Sequence, residues 1–262
     1  RQGAAWVEEE DFLDAWGPEV GLALITWISS TSSHRVDLPA LVAAARHRGI
    51  ITALDNTWGA GLAFDGFALG IDVVMQALTK YPSGGGDVLM GSVVTRDAAL
   101  HERLKLAHMH LGMGVGANDA ELVLRALPSL PLRYRAQDAT ARALARWLGT
   151  QPSVARVLHP ALDGSPGHDH WRALCTDAAG LFSVLFDLRC EQVQVDRFVD
   201  ALRMFRIGYS WAGPCSLVVP YDLQAMRPGG TLRGHLVRFS IGLEEEGALR
   251  ADLAQALATA FG

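Results

Sequence analysis

Three short apolar runs alternate with polar and helix-forming segments early in the chain. Val20 to Ile28, Ile50 to Leu54 and Ile71 to Leu78 each run into polar residues at their carboxyl ends. Runs of that length bounded by glycine predict buried strands of a parallel sheet, although a buried helix segment has a similar pattern. Glu8 to Trp16 reads as a short acidic helix stopped by Gly17-Pro18, and Asp37 opens another that ends at Gly49. An acid at the cap and a proline in the first turn both suit a helix start. Strand, helix and strand in succession give the βαβ rhythm of a parallel sheet. Met90 to Thr95 predicts one strand more.

Helices follow. Asp97 is placed to cap a helix from Ala98 to Leu111, and Gly112 to Gly116 makes a break. Asn118 with Glu121 predicts a capping box for the next helix, which Pro128 and Pro131 interrupt. A long amphipathic helix then runs from Arg133 to Trp147 and stops at Gly149. Beyond the prolines the rhythm is mixed. Strands are expected at Val154 to Leu158, Leu181 to Leu188, Arg206 to Ser210 and Leu236 to Ile241, with helices at Val195 to Phe205 and Glu244 to Phe261. The expected organisation is α/β: a large domain over residues 1–131 with a mostly parallel sheet, and a smaller α+β domain over 132–262.

Composition narrows the function classes. At 262 residues the chain buries a substantial core, and a formal net charge of −5 with dispersed arginine argues against nucleic acid. No apolar stretch spans a bilayer, and Arg1-Gln2-Gly3 does not open a signal peptide. Three widely spaced cysteines, Cys175, Cys190 and Cys215, form neither a disulfide framework nor a zinc pattern, so a cytoplasmic setting is expected. His108 and His110, like His168 and His170, stand at i,i+2, which points them apart on a helix; no metal site is expected.

The chemistry concentrates where two apolar runs end, at Asp55-Asn56-Thr57 and at Thr79-Lys80. Ligands of open parallel sheets gather beyond the carboxyl ends of strands. Lys80 and Lys105 are the only lysines among 23 basic residues. A desolvated lysine sheds its proton and attacks a carbonyl, which arginine cannot do. Lys105 lies in the charged pattern HERLKLAH and reads as a surface residue, whereas Lys80 follows VVMQALT. Set against this is a plain strand-end lysine reaching water. Asp55 reads either as a strand-end cap or as the acid that keeps a proton on a pyridine nitrogen, tuning pyridoxal phosphate (PLP) as an electron sink. Thr79 offers a hydroxyl to a phosphate oxygen, while Gly84-Gly85-Gly86 reads first as a turn and only second as a phosphate cradle. In LVRFSIGL, alternation puts Arg238 opposite Val237, Phe239 and Ile241, either in solvent or as a bidentate clamp on a carboxylate.

DNTWGAG, QALTKY, YSWAGPCSL and GTLRGHLVRFSIGLEE, in that order, resemble the Cys/Met-metabolism (trans-sulfuration) family of PLP-dependent enzymes, and HPALDGSPGHDHW and AGLFSVLFDL resemble its second lobe. The resemblance runs from about Val20 to the C-terminus. It implies the aspartate-aminotransferase-like, fold type I architecture, and a homo-oligomer, dimer or tetramer. Trp58, Gly61 and the run Tyr209-Ser210-Trp211 are similar to the β-lyase branch. The implied activity is β-elimination of a thioether amino acid such as cystathionine. The alternatives are a γ-acting relative or a catalytically silent fragment.

Carried over by position, the resemblance makes Lys80 the Schiff-base lysine and proton shuttle. Asp55 pairs with the ring nitrogen and Thr79 meets the phosphate. Arg238, Ser210 and the backbone of Trp211 hold the substrate carboxylate. The chain departs from the family pattern at Thr26-Trp27-Ile28, Ala77, Gly84-Gly85 and Cys215. The resemblance also implies that the first third of the family protein is missing, including a tyrosine that stacks on the cofactor and a glycine-rich phosphate loop.

Overall fold

The computed structural model describes residues 38–223 and 233–262, together with the backbone of strand β1 (Leu22–Thr26). The expected acidic helix at Glu8 to Trp16, the Asp37 cap and the departures at Trp27-Ile28 lie outside the described residues.

A first sheet runs in the order β1, β2 (Ile51–Asp55), β3 (Val73–Ala77), β4 (Gly91–Thr95). The first three strands are parallel and β4 is antiparallel. Helix α1 (Leu38–His47) makes the crossover into β2 and buries Leu38, Leu41, Val42 and Ala45. Those positions are spaced three or four apart, one stripe of a helix. The Asp72 carboxylate receives the amide and hydroxyl of Thr52, each at 2.8 Å, and the Asp72 carbonyl receives the Thr95 hydroxyl. One residue thereby links β2, β3 and β4. The apolar run Ile71 to Leu78 becomes a shorter strand than expected, and Lys80 sits in the turn beyond it.

Helices α2 (Ala98–His110) and α3 (Ala117–Ala126) follow. Asp97 caps α2 as expected, accepting the Leu100 amide at 2.7 Å. Asn118 does not cap α3; Gly116 occupies that place with no side-chain bond, and Asn118 lies inside the first turn. Pro131 does not interrupt a helix either. It stands in the first turn of α4 (Leu130–Leu148), where its missing N–H costs nothing.

The second sheet has the order β5 (Val154–Leu158), β6 (Leu181–Phe186), β9 (His235–Ser240), β8 (Leu217–Asp222), β7 (Arg206–Ile207). Its pairs are antiparallel except β7 with β8. One face packs on α4, α6 (Gln192–Ala201) and α7 (Glu246–Phe261) through Phe182, Phe186, Phe198, Phe239, Leu144 and Leu253. β7 is much shorter than the run Arg206 to Ser210, and a short helix α5 (His168–Leu174) precedes β6. α4 serves both halves: Tyr134 packs with Trp58, Leu54 and Tyr81, whereas Ala141, Leu144 and Leu148 enter the second core.

Candidate active site between the two sheets

Because β2 and β3 are parallel, their carboxyl ends open on the same side of the sheet. Asp55 ends β2. Its Oδ1 accepts the Thr57 amide at 2.9 Å and the Thr57 hydroxyl at 2.5 Å. The same hydroxyl oxygen accepts the Ala77 amide at 2.8 Å, which ties the acid to the end of β3. Asp55 Oδ2 has no hydrogen-bond partner among the described residues and is left to accept a bond from a ligand. The turn after Asp55 is tight: a Cβ on Gly59 would lie 2.4 Å from Asn56 Oδ1.

Lys80 projects from the turn after β3. Its Nζ donates to Ser210 Oγ at 2.9 Å and lies 5.2 Å from the centroid of the Trp211 ring. Partial burial, and then the nearby Arg238 charge, hold the amine below the ordinary lysine value of 10.5. Both causes favour the neutral, nucleophilic form. A plain solvated lysine would show neither.

Arg238 is buried, at 4 % exposure. Alternation along β9 was expected to separate it from the apolar side, and it does. The second face of the sheet is covered as well, however, so Arg238 does not reach solvent. Its Nη2 donates to the carbonyls of Tyr209 at 2.7 Å and Ser210 at 3.1 Å, while its Nε is buried without a partner. The Tyr221 ring stands 5.8 Å from the guanidinium carbon. Among the described residues no carboxylate pairs with Arg238 or with Lys80. The two basic groups bracket Ser210, whose hydroxyl takes Lys80 and whose carbonyl takes Arg238. Buried charge without a counterion is costly unless a ligand supplies one.

The structure thus brings Lys80, Ser210, Trp211 and Arg238 together, with Asp55 at the neighbouring strand end. Thr79 is committed elsewhere: its hydroxyl donates to the Met90 carbonyl at 3.3 Å and accepts the Met90 amide at 3.1 Å. The Gly84-Gly85-Gly86 run forms a turn with Gly84 at φ +67°, and a Cβ there would strike Arg133 at 2.2 Å. Arg133 in turn donates to the Tyr81 carbonyl at 2.7 Å and holds the loop behind Lys80. No group of histidines, cysteines and acids among the described residues is placed to hold a metal.

Sequence reasoning passed over Tyr81, Tyr134 and Tyr221. Tyr81 stood in view inside QALTKY, but a tyrosine beside a lysine carries no periodic signal of burial. Its ring is wholly buried, 4.7 Å from Tyr134 and 5.8 Å from Trp211, in edge-on contacts.

Residues 7–258 match the family described as Cys/Met metabolism PLP-dependent enzymes. Cystathionine beta-lyase of Bordetella avium is 39% identical over 230 residues, 85% of this chain and 56% of that protein. Cystathionine beta-lyase MetC of Escherichia coli (strain K12) is 38% identical over 224 residues, 83% of this chain and 56% of that protein. The chain therefore spans just over half the length of these relatives. Among solved structures, cystathionine gamma synthase from Xanthomonas oryzae pv. oryzae, in complex with aminoacrylate and cysteine, superposes with a TM-score of 0.85 at 31% identity, covering 92% of this chain and 63% of that one.

Proposed function

The chain belongs to the Cys/Met-metabolism family of PLP-dependent enzymes, and on that premise we propose that its site serves a carbon–sulfur β-lyase acting on cystathionine. The observation that carries the proposal is the Lys80 amine, bonded to Ser210 and held below its ordinary pKa beside a buried Arg238 that lacks a counterion among the described residues. This set of groups fits the cofactor. Lys80 would bind its aldehyde and Asp55 Oδ2 would keep a proton on its ring nitrogen. Thr79 would reach a phosphate oxygen by giving up its long bond to Met90. When bound, PLP supplies the electron sink that lowers the cost of a negative charge at the substrate α-carbon.

The protein's own groups would do the rest. Arg238, through its free Nε, and the backbone at Ser210 and Trp211 would take the substrate carboxylate. Lys80, steered by Ser210 Oγ, would remove the α-proton, and the β-carbon would release the thiolate. Net, cystathionine and water become homocysteine, pyruvate and ammonia. Trp58, Gly61 and the Tyr209-Ser210-Trp211 run favour this β reading, as do the curated relatives' names. The likeness to a γ-synthase structure keeps a γ-acting enzyme as the second reading. A homo-oligomer, dimer or tetramer, and a cytoplasmic setting go with either, and residues 1–131 and 132–262 serve as its large and small domains. No helix among the described residues is long and apolar enough to cross a membrane.

The test is direct. Added PLP should give the purified chain a visible absorption band that Lys80→Ala abolishes, and cystathionine should then yield pyruvate. Release of 2-oxobutyrate would overturn the β assignment in favour of the γ branch. A chain that gains no band would be a silent fragment, and the assignment of activity to it would fail.

A further inference from the structure

Lys80 stands in the turn that follows the first sheet's β3, whereas the groups around its amine come from the second half. Ser210 and Trp211 follow β7, and Arg238 lies on β9. The lysine's surroundings therefore depend on what fixes one sheet against the other at this point. The residue next to Lys80 makes that connection. Tyr81 is 0% exposed, and its hydroxyl oxygen accepts the Gly180 amide at 2.8 Å. Gly180 leads into β6, and its own carbonyl accepts the amide of Ile241, just past the end of β9, at 2.7 Å. β6 and β9 pair with Leu181 against Ser240 and Ser183 against Arg238. From the lysine's neighbour to the strand of the buried arginine, the path thus runs through two hydrogen bonds.

The Gly180 end of this contact is shaped for it. A Cβ there would lie 3.0 Å from the Gln137 Cβ and 3.1 Å from the Ile241 carbonyl, so a side chain at this position would crowd the neighbours that hold the Gly180 backbone beside Tyr81. The Tyr81 ring also meets Trp211 edge-on, and Trp211 is the ring beneath the amine. Hydrophobic burial alone would be served equally by phenylalanine. The hydroxyl is what answers an amide that would otherwise be buried and unpaired.

We infer that Tyr81 is a positioning residue: its bond to the Gly180 amide fixes Lys80 against Ser210 and Trp211. The inference rests on Lys80 being the carbonyl-binding amine of the proposed function. Without the bond the turn loosens, water reaches the amine, and Lys80 regains the behaviour of a surface lysine. Arg238 on β9 is the charged group beside the amine, and Asp55 stands at the neighbouring strand end. Burial holds the Tyr81 hydroxyl neutral well above the ordinary tyrosine range, so it does not titrate along with the lysine.

The chain's two lysines make the experiment clean. Protein labelled with 13C at the lysine side chain gives one signal for Lys80 and one for exposed Lys105, and neither depends on cofactor or activity. In the wild type Lys80 should titrate below the ordinary lysine value of 10.5. In Tyr81→Phe the Lys80 midpoint should rise towards that value. An unmoved Lys80 midpoint in a folded Tyr81→Phe protein would overturn the positioning role and leave the proposed function intact. Should that variant not fold, the wild type decides. The Gly180 amide resonance should move with the Lys80 midpoint, and a Gly180 signal indifferent to it would overturn the inference. Wild-type Lys80 titrating at the ordinary lysine value of 10.5 would instead sink the underlying reading of the amine.

Discussion

Arg238→Met asks whether the buried guanidinium is there for the fold or for a ligand. The change removes the charge and keeps an unbranched apolar stem in β9. Two charge-assisted bonds, to the Tyr209 and Ser210 carbonyls, are lost. At about 1.5–3 kcal/mol each, they amount to roughly 3–6 kcal/mol. Against this, the penalty of keeping a guanidinium with no counterion among the described residues out of water, also several kcal/mol, disappears. Both carbonyls belong to exposed residues and can turn to solvent. The terms nearly cancel, so the expected change in stability is within about 2 kcal/mol of zero. Binding of a small amino-acid carboxylate is another matter: losing the partner of a buried charge pair costs about 2–5 kcal/mol, roughly 30- to 5,000-fold in affinity. Urea denaturation followed by tryptophan fluorescence reads the first quantity, and titration with L-alanine reads the second. The Lys80 midpoint should also rise, because the Arg238 charge is the second cause of its depression, burial being the first. A loss of more than about 4 kcal/mol in stability, or an unmoved Lys80, would refute the reasoning.

Lys80 also leaves a signature in the pH dependence of stability. Its folded pKa lies below the ordinary 10.5, so between those two values the unfolded chain binds more protons and the fold gains stability as pH rises. The stability of Lys80→Met relative to wild type should accordingly decline through that window. His159 acts at the acid end. Burial, helped by Arg142 and Arg146, holds it near 3, so the fold should lose stability as pH falls from about 6.5 towards 3, by up to about 1.4 kcal/mol per unit. His159→Gln should flatten that slope in acid-dependent urea melts. Ser210→Ala should keep the fold and lower the rate at which Lys80 is modified by a small aldehyde at neutral pH, since the amine loses its orienting oxygen. Phe239→Ala, at a ring stacked 5.1 Å from Phe182 in the second core, should cost about 3–5 kcal/mol by calorimetry or urea melts.

What the sequence made legible follows from periodicity. β2, β5 and α1 are uniform in pattern, and the buried stripe of α1 can be read off its spacing. β8 escaped because Pro220 breaks the pattern of a strand. The structure admits that proline because β7 pairs with β8 only at Leu217 and Val218, leaving Pro220 with a neighbour on one side alone among the described residues. Asn118 looked like a cap by composition, but the backbone enters the helix at Gly116, and side-chain type does not encode that geometry. Asp55, Lys80 and Arg238 could be named because a charged residue at the end of, or inside, an apolar run stands out locally. Their neighbourhood could not be named from periodicity. Ser210 comes from 130 residues further on than Lys80, and only tertiary packing brings the two together. The exposure of Arg238 likewise depends on the Ser183 and Val219 strands beside it, which a single-strand pattern does not contain.

The seam between the halves has a property that bears on how such a protein changes over generations. Tyr81 and Tyr134 each reach across it to main-chain atoms, at Gly180 and Trp58, and Gln137 beside them reaches the Gly213 carbonyl within the second half. Main-chain atoms are present whatever the residue. Around Gly213 there is open space where a side chain would go, so that position is free to drift, while Gly180 is confined by its neighbours. Inheritance is thus asymmetric: the reaching side chains are under tight constraint, whereas the place that Gln137 reaches for can be rewritten.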